Sequence, residues 1–208
     1  LTSGRISDIA VNPNNPFEYY VATASGGVWK TINSGVDYQP IFDKQGSYSI
    51  GCITMDPNNS NVIWVGTGEN NNQRSVSYGD GVYKTLDGGN TWENVNPNWD
   101  GESWAVDIGF HPTDPSKVWL SAGDGNLYYS NDMCSTIIKQ SYASDRIISN
   151  SLYVGETTVW AISQWSLKPL YVNREISQDN WELINLPLHE NKVVNGIIDG
   201  VGDNIIVI

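Results

Sequence analysis

The sequence predicts an all-β fold made of repeated four-stranded antiparallel units, and three observations support this prediction. First, the chain has nine Trp, eleven Tyr and 20 Gly among 208 residues, a composition typical of short strands joined by tight turns. Second, a pair of strand-like segments recurs along the chain. Third, equivalent positions of neighbouring copies, such as Thr85 and Ser130, lie 45 residues apart. Four short strands in a unit of roughly 40–50 residues are typical of one β-propeller blade.

The recurring segment consists of a strand, a connection that contains glycine or asparagine, and a second strand. It occurs three times clearly and a fourth time weakly, within residues 20–31, 64–85, 118–130 and 159–173. Thr31 and Thr85 are 54 residues apart. The ten-residue insertion from Asn70 to Gly79 accounts for this longer interval.

Each of the first three copies is preceded by a strand that ends in proline: Ile9–Pro13, Ile53–Pro57 and Ile108–Pro112. The sequence pattern of each unit therefore predicts six elements in this order: strand a, a proline turn, strand b, strand c, a glycine turn and strand d. The expected blades cover residues 5–49, 50–103, 104–145 and 146–191, and a fifth begins at 192–208. Because a propeller closes on itself to remove its sheet edges, we expect this chain to be part of a larger propeller.

Composition and charge exclude several classes of partner. Eleven basic against 23 acidic residues give a net charge of −12, which repels nucleic acid and anionic lipid. The sequence has no apolar run of the roughly 18 residues that cross a bilayer, so membrane insertion is not expected. No cofactor and no metal are expected either, because the chain lacks a glycine-rich nucleotide loop and has two histidines.

A turn motif lies between strands c and d of the second unit. Its pattern is Ser/Thr-x-Asp-x-Gly-x-x-Trp, formed by Thr85, Asp87, Gly89 and Trp92. We expect the carboxylate to cap backbone amides, the glycine to supply positive φ, and the tryptophan to fasten the turn to its blade. Residues 31–38 hold a degraded copy, with Asn and Tyr in place of Asp and Trp, and residues 130–132 keep its first half. We interpret these turns as structural.

This turn is similar to the Asp box of bacterial neuraminidase (BNR) repeats. Residues Gly4–Pro13, Ala22–Thr31 and Gly66–Ser75 resemble secreted bacterial BNR-repeat proteins of the sortilin-like and glycosyl-hydrolase type. The resemblance implies a large extracellular propeller, related in fold to sortilin-type receptors and to xyloglucanases. Beyond about residue 100 it weakens to the general blade pattern. Because one fold carries many functions, the function has to be argued from the site.

The b–c and d–a loops of a propeller lie on one face and form its mouth. Here these loops are rich in side-chain amides, Trp and Tyr. Amides pair with hydroxyls and aromatic rings stack on sugars, so we expect a glycan or an extended peptide as ligand. The candidate binding residues are Arg5, Tyr48, Glu69, Asn71, Arg74, Trp99, Trp104 and Trp165.

Structural roles remain open for the same residues. Trp99 and Trp104 could pack between blades, and Arg5 could form an ion pair with Asp8. The insertion could close only its own turns, as a solvated flap. We expect it instead to be ordered and folded over the mouth, because a binding loop is held by its own side chains.

The resemblance also bears on catalysis. In xyloglucanase-like propellers one catalytic Asp lies in a Thr-Asp-x-Gly-Gly segment after the first strand b, and here Ala24 occupies that position. Glycoside hydrolysis normally needs two carboxylates, so no catalytic residue is assigned. The leading interpretation is a non-catalytic recognition module of a secreted or cell-surface bacterial protein. The alternatives are a xyloglucanase- or sialidase-like glycoside hydrolase with carboxylates outside this chain, and a scaffold segment that packs against other chains of an extracellular assembly.

Overall fold

The computed structural model describes residues 4–68, 77–95, 105–123, 125–140, 152–162, 170–174, 180–184, 197–201 and 204–207. Within these segments the regular structure is antiparallel β-strand, and no segment is helical. The chain divides into two compact units, Leu1–Ile108 and Gly109–Ile208. The predicted all-β class is therefore confirmed.

Two four-stranded sheets, which we call blade 1 and blade 2, lie in the first unit. Blade 1 has the order β1-β2-β3-β4, and blade 2 the order β5-β6-β7-β8. The strands of blade 1 are β1 (Ile6–Val11), β2 (Tyr19–Thr23), β3 (Val28–Thr31) and β4 (Gln39–Pro40). Those of blade 2 are β5 (Ile50–Met55), β6 (Ile63–Thr67), β7 (Val82–Thr85) and β8 (Glu93–Asn94).

Two further four-stranded sheets and a hairpin follow along the chain. The third sheet contains β9 (Ala105–Phe110), β10 (Val118–Ala122), β11 (Leu127–Ser130) and β12 (Ile138–Lys139). The fourth contains β13 (Leu152–Val154), β14 (Val159–Ile162), β15 (Leu170–Asn173) and β16 (Trp181–Ile184). The hairpin pairs β17 (Ile197–Val201) with β18 (Asn204–Val207). In each four-stranded sheet, neighbours in space are also neighbours in sequence.

Blades 1 and 2 are copies of each other in strand register. In blade 1 Ile9 pairs with Val21, and in blade 2 Ile53 pairs with Val65. Both inner strands have a register shift at the same place, before Asp8 and before Cys52. Side chains alternate between the two faces of a strand, so equivalent residues of the two blades lie on equivalent faces.

The core of the first unit lies between blade 1 and blade 2. Blade 1 contributes Ala10, Tyr20, Ala22, Val28 and Phe42, and blade 2 contributes Ile50, Ile53, Met55, Ile63, Val65 and Tyr83. Phe42 follows β4 and is 2% exposed. Its ring meets the rings of Tyr83 and Trp92 edge to face, with centroids 5.1 and 5.0 Å away. Such aromatic pairs contribute beyond the area they bury.

The turn between β7 and β8 is held by side chains. One Asp87 carboxylate oxygen accepts the N–H groups of Asn90 and Thr91 at 3.0 and 2.9 Å, and Thr85 donates its hydroxyl to the same oxygen at 2.7 Å. Gly89 has a φ of 94°, which favours glycine. Trp92 differs from the sequence-based expectation, because its indole N–H donates to the carbonyl of Ile41 in blade 1 at 2.9 Å. It therefore joins two blades.

In the second unit, a buried cluster comprises Trp119, Tyr129, Val154 and Val159. His111 lies in the turn after β9. Its Nδ1 accepts the N–H groups of Thr113 and Asp114 at 3.3 and 3.1 Å, and its Nε2 lies 2.9 Å from the carbonyl oxygen of Glu156. This pattern fits a neutral ring with the proton on Nε2. The ring atoms are committed to backbone groups, so His111 has a structural role.

Candidate functional site

One end of the first unit carries the b–c connections of both blades and the chain that joins them. We call it the loop end, and it consists of residues 4–5, 24–27, 43–49, 68 and 77–81. The N–H of Gly27 donates to the carbonyl of Tyr48, and the N–H of Gly68 donates to that of Ser49, each at 2.8 Å. The segment 46–49 is thus bonded to the b–c connections of blade 1 and blade 2.

Two tyrosines project from this end into solvent. Tyr48 is 61% exposed and Tyr78 is 63% exposed. The hydroxyl of Tyr78 donates to the carbonyl of Gly46 at 2.9 Å, and its own carbonyl accepts the hydroxyl of Ser47 at 2.8 Å. Ser47 is buried. Both tyrosines are therefore fixed to the same short segment, and their rings remain accessible to a ligand.

Behind these tyrosines lies a polar network centred on Asp80. The hydroxyl of Tyr83 donates to Asp80 at 2.6 Å, and the backbone N–H of Asp80 donates to the hydroxyl of Thr67 at 2.9 Å. Thr67 in turn donates to the carbonyl of Gly81 at 2.6 Å. Burial, and then the hydrogen bond to Asp80, raises the pKa of Tyr83. The network fixes the backbone on which Tyr78 is carried.

Ala24 and Arg5 lie beside each other at the loop end, where the N–H of Ala24 donates to the carbonyl of Arg5 at 2.9 Å. Ala24 is 4% exposed, so this position offers a buried methyl group. The carboxylate of nearby Asp8 accepts the N–H groups of Ile9 and Ile53 at 2.8 and 2.9 Å. Burial raises its pKa above the usual range. Asp8 thus connects the inner strands of the two blades.

Of the predicted binding residues, the structure places Arg5 and Tyr48 at the loop end, both exposed. The others lie outside the described residues: Glu69, Asn71, Arg74, Trp99, Trp104 and Trp165. The expected ordering of the insertion over the mouth falls there too, apart from Ser77 to Gly79. Sequence reasoning missed Tyr78 and the network of Asp80 and Tyr83. The only signal in the sequence was the aromatic residue directly before Gly79-Asp80 at the end of the insertion.

The Thr85–Trp92 turn lies at the opposite end of blade 2 from the loop end, because it joins strands c and d. Among the described residues there is no group of three His, Cys, Asp or Glu side chains that could hold a metal ion. The same part of the chain contains no helix that could span a membrane.

Comparisons with known proteins bear on the fold. No protein-family profile and no curated protein matches the sequence. Among solved structures, an ancestral GH74 enzyme matches with a TM-score of 0.70 at 22% identity, over 89% of this chain and 24% of that one. The GH74 xyloglucanase from Xanthomonas campestris matches with a TM-score of 0.66 at 15% identity, over 87% and 30%. YCF48 from Cyanidioschyzon merolae matches with a TM-score of 0.63 at 14% identity, over 96% and 61%.

The chain is built of β-propeller blades. Its four-stranded antiparallel sheets and its likeness to these structures agree on this point. The chain spans about a quarter to a third of the GH74 chains and about three fifths of YCF48. At sequence identities of 14 to 22%, the likeness supports a shared fold. It does not assign a function, because one fold serves many functions.

Proposed function

We propose that this chain is a recognition module without catalytic activity, and that the loop end of its first unit binds a glycan. The observation that carries the proposal is the pair of exposed tyrosines, Tyr48 and Tyr78, anchored to the single segment 46–49. Large exposed aromatic side chains on a fixed backbone are typical of binding surfaces. Secretion or display at the cell surface is part of the same proposal.

The chemistry of the loop end favours a sugar. Tyrosine rings offer flat apolar faces to the C–H groups of a pyranose, and their hydroxyl groups exchange hydrogen bonds with its hydroxyls. Because the backbone beneath the rings is already ordered by hydrogen bonds, binding costs little conformational entropy in the protein. An extended peptide would use the same rings, and the binding experiment distinguishes the two.

Hydrolysis is disfavoured by the residues at this end. Cleavage of a glycosidic bond normally requires two carboxylates on either side of it. Three described carboxylates lie at or near this end: Asp8 accepts backbone N–H groups, Asp80 accepts the Tyr83 hydroxyl, and Asp43 is exposed. Ala24 provides no carboxylate. The competing proposal, a glycoside hydrolase, is favoured by the likeness to GH74 enzymes. A hydrolase would require catalytic carboxylates that lie outside the described residues.

The experiment uses the full-length protein and two sets of probes, a glycan array that includes xyloglucan oligosaccharides and a library of extended peptides. We expect Tyr48→Ala to weaken binding of the best glycan at least about tenfold, equivalent to 1.4 kcal/mol. The matched control is Phe17→Ala, since Phe17 is also 61% exposed but lies in a turn at the other end of blade 1. This control should bind normally. Equal losses in both variants, or an unchanged affinity in Tyr48→Ala, would contradict the proposed site.

Two other outcomes would decide between the alternatives. Release of reducing sugar from the bound glycan would show hydrolysis and replace the recognition proposal with the hydrolase. Binding of peptides, but of no glycan, would leave the loop end as a site with a different ligand class. If neither class binds and the protein is recovered with other chains of its extracellular assembly, the scaffold interpretation would take precedence.

A further inference from the structure

The end of blade 1 opposite the loop end carries three exposed apolar side chains on two adjoining turns. Phe17, in the turn between β1 and β2, is 61% exposed. Ile32 and Val36, in the turn between β3 and β4, are 66% and 79% exposed. The N–H of Ser34 joins the two turns, because it donates to the carbonyl of Phe17 at 3.0 Å. We call Phe17, Ile32 and Val36 the turn patch.

The same pair of turns recurs in blade 2 and in the third sheet with the same backbone geometry. The joining hydrogen bond runs from Gly88 to Asn61 at 2.9 Å in blade 2, and from Met133 to Ser116 at 3.0 Å in the third sheet. The donating residue has a positive φ in each case, 59° for Ser34, 69° for Gly88 and 56° for Met133. The turns can therefore be compared position by position.

The apolar character of the turn patch is specific to blade 1. Blade 2 keeps one apolar residue at the three equivalent positions, and the third sheet keeps none. The equivalents of Phe17, Ile32 and Val36 are Asn61, Leu86 and Asn90 in blade 2, and Ser116, Asn131 and Ser135 in the third sheet. Because the turns close in the same way with polar residues, the fold does not require apolar ones here. Exposed apolar side chains that are grouped in this manner mark an interaction site.

The carboxylate of the c–d turn is also placed differently in blade 1. In blade 2 the carboxylate of Asp87 accepts hydrogen bonds from within its own turn. In blade 1 Asn33 occupies that position, and the acid is Asp37, where blade 2 has Thr91. The side-chain amide of Asn33 donates to one oxygen of Asp37 at 3.1 Å. Within the described residues the other oxygen of Asp37 accepts no hydrogen bond, and the residue is exposed. An accessible carboxylate therefore borders the turn patch.

The charges around the turn patch indicate the kind of partner. No basic side chain of the described residues forms an ion pair with Asp37. Lys30 of β3 is engaged instead with the carboxylate of Glu18 at 2.9 Å and with the carbonyl of Gly88 at 3.3 Å. The whole chain has a net charge of −12. A second copy would bring the same negative charge to the patch, and an anionic lipid surface would be repelled. A cationic partner complements it.

We infer that the turn patch docks a segment of a different protein, in which apolar side chains stand beside a lysine or an arginine. The apolar side chains of that segment cover Phe17, Ile32 and Val36, and its cation pairs with Asp37. Burial of apolar surface supplies the affinity, and the charge pair fixes the orientation of the segment. This interface lies at the other end of blade 1 from Tyr48 and does not depend on the glycan proposal.

A displayed library of short peptides of random sequence, selected on the full-length protein, tests the inference. We expect the selected peptides to be enriched in Lys or Arg beside aliphatic or aromatic residues. The double variant Phe17→Asn with Val36→Asn should bind the best peptide at least about tenfold more weakly. It carries the residues that blade 2 holds at these positions, so its turns should still close. The control is Ile138→Asn, at a 54% exposed position on β12, which should bind normally.

The selection itself can contradict the inference. Recovery of no peptide, enrichment of acidic peptides, or equal affinity of the parent and the double variant would each overturn it. Asp37→Thr, which introduces the residue of blade 2, should weaken binding about two- to fivefold at low salt and less at high salt, since salt screens exposed charge pairs. An affinity of the parent protein that does not change with salt would contradict the role of Asp37.

Hydroxyl-radical footprinting of the unmodified full-length protein covers variants that fail to fold. Phe17 should be oxidised several-fold more slowly once the best peptide is bound, whereas oxidation of Tyr78 at the loop end should not change. Protection of Tyr78 instead would place the peptide at the loop end and overturn the inference for the turn patch.

Three further outcomes would overturn the assignment of the partner. Slow oxidation of Phe17 before any peptide is added would show that another part of the same chain covers the turn patch. Self-association in sedimentation experiments that is lost in the double variant would make a second copy the partner. Binding to phosphatidylcholine vesicles that is lost in the double variant would make it a lipid surface.

Discussion

Replacing Phe42 by alanine tests the interface between blade 1 and blade 2. The ring is 2% exposed and lies between two aromatic rings. Truncation of a buried phenylalanine to alanine costs roughly 3–5 kcal/mol of unfolding free energy. The two edge-to-face contacts account for about 1–3 kcal/mol of that, at roughly 0.5–1.5 kcal/mol each. Because Phe42 has aromatic neighbours on both sides, we expect the upper half of the range.

Urea unfolding followed by tryptophan fluorescence measures this loss, since Trp92 lies against Phe42 and reports on the same interface. The transition of the first unit should shift to lower urea with little change in its slope. The control is Phe17→Ala, at a position 61% exposed, which should stay within about 0.5 kcal/mol of the parent protein. A loss below about 1 kcal/mol for Phe42→Ala would refute the assignment of Phe42 to a buried interface.

Two further predictions concern a turn and a close backbone approach. The hydroxyl of Thr91, followed by its backbone N–H, lowers the pKa of Asp87 from 3.8 to about 2. Asp87 therefore contributes stability above pH 4 that is lost as the pH falls toward 2. The melting temperatures of the parent and of Asp87→Asn, measured from pH 6 to pH 2, should converge at acid pH, and a constant difference would contradict this linkage. A Cβ at Gly51 would lie 2.6 Å from the carbonyl oxygen of Gly68. Gly51→Ala should therefore lower the free energy of unfolding, measured in urea, by about 1–3 kcal/mol. Gly4→Ala, whose nearest neighbour would be 3.9 Å away, is the control, and equal stability of the two variants would show that the approach is not tight.

The fold class could be predicted because the signals for it are local. Alternating apolar residues, prolines at the ends of inner strands and glycines between strands recur at nearly constant spacing, and each reports on a few neighbouring residues. The pairing of Ile9 with Val21 and of Ile53 with Val65 follows from that pattern once the connecting turn is recognised. The four-stranded antiparallel sheets were accordingly predicted correctly.

The site could be predicted only in part, because its contacts join residues that are distant in sequence. Tyr78 is fixed by Gly46 and Ser47, more than 30 residues earlier, and Trp92 donates to Ile41 in the other blade. No periodic pattern encodes such bonds. Tyr48, by contrast, could be proposed from its place in a d–a segment. The sequence also could not show which face of blade 1 stays exposed, since that depends on which other sheet packs against it.

The position of Phe42 has a consequence for synthesis on the ribosome. The aromatic residue leaves the ribosome with blade 1, but Trp92, one of the two rings that enclose it, is translated fifty residues later. At about 5–20 residues per second, this interval lasts roughly 3–10 s. During that time the apolar surface of blade 1 is unprotected on the side where blade 2 will pack. Blade 1 thus depends on blade 2 to complete its burial, and a pause in translation between Phe42 and Trp92 would prolong the period in which the nascent chain is prone to aggregate.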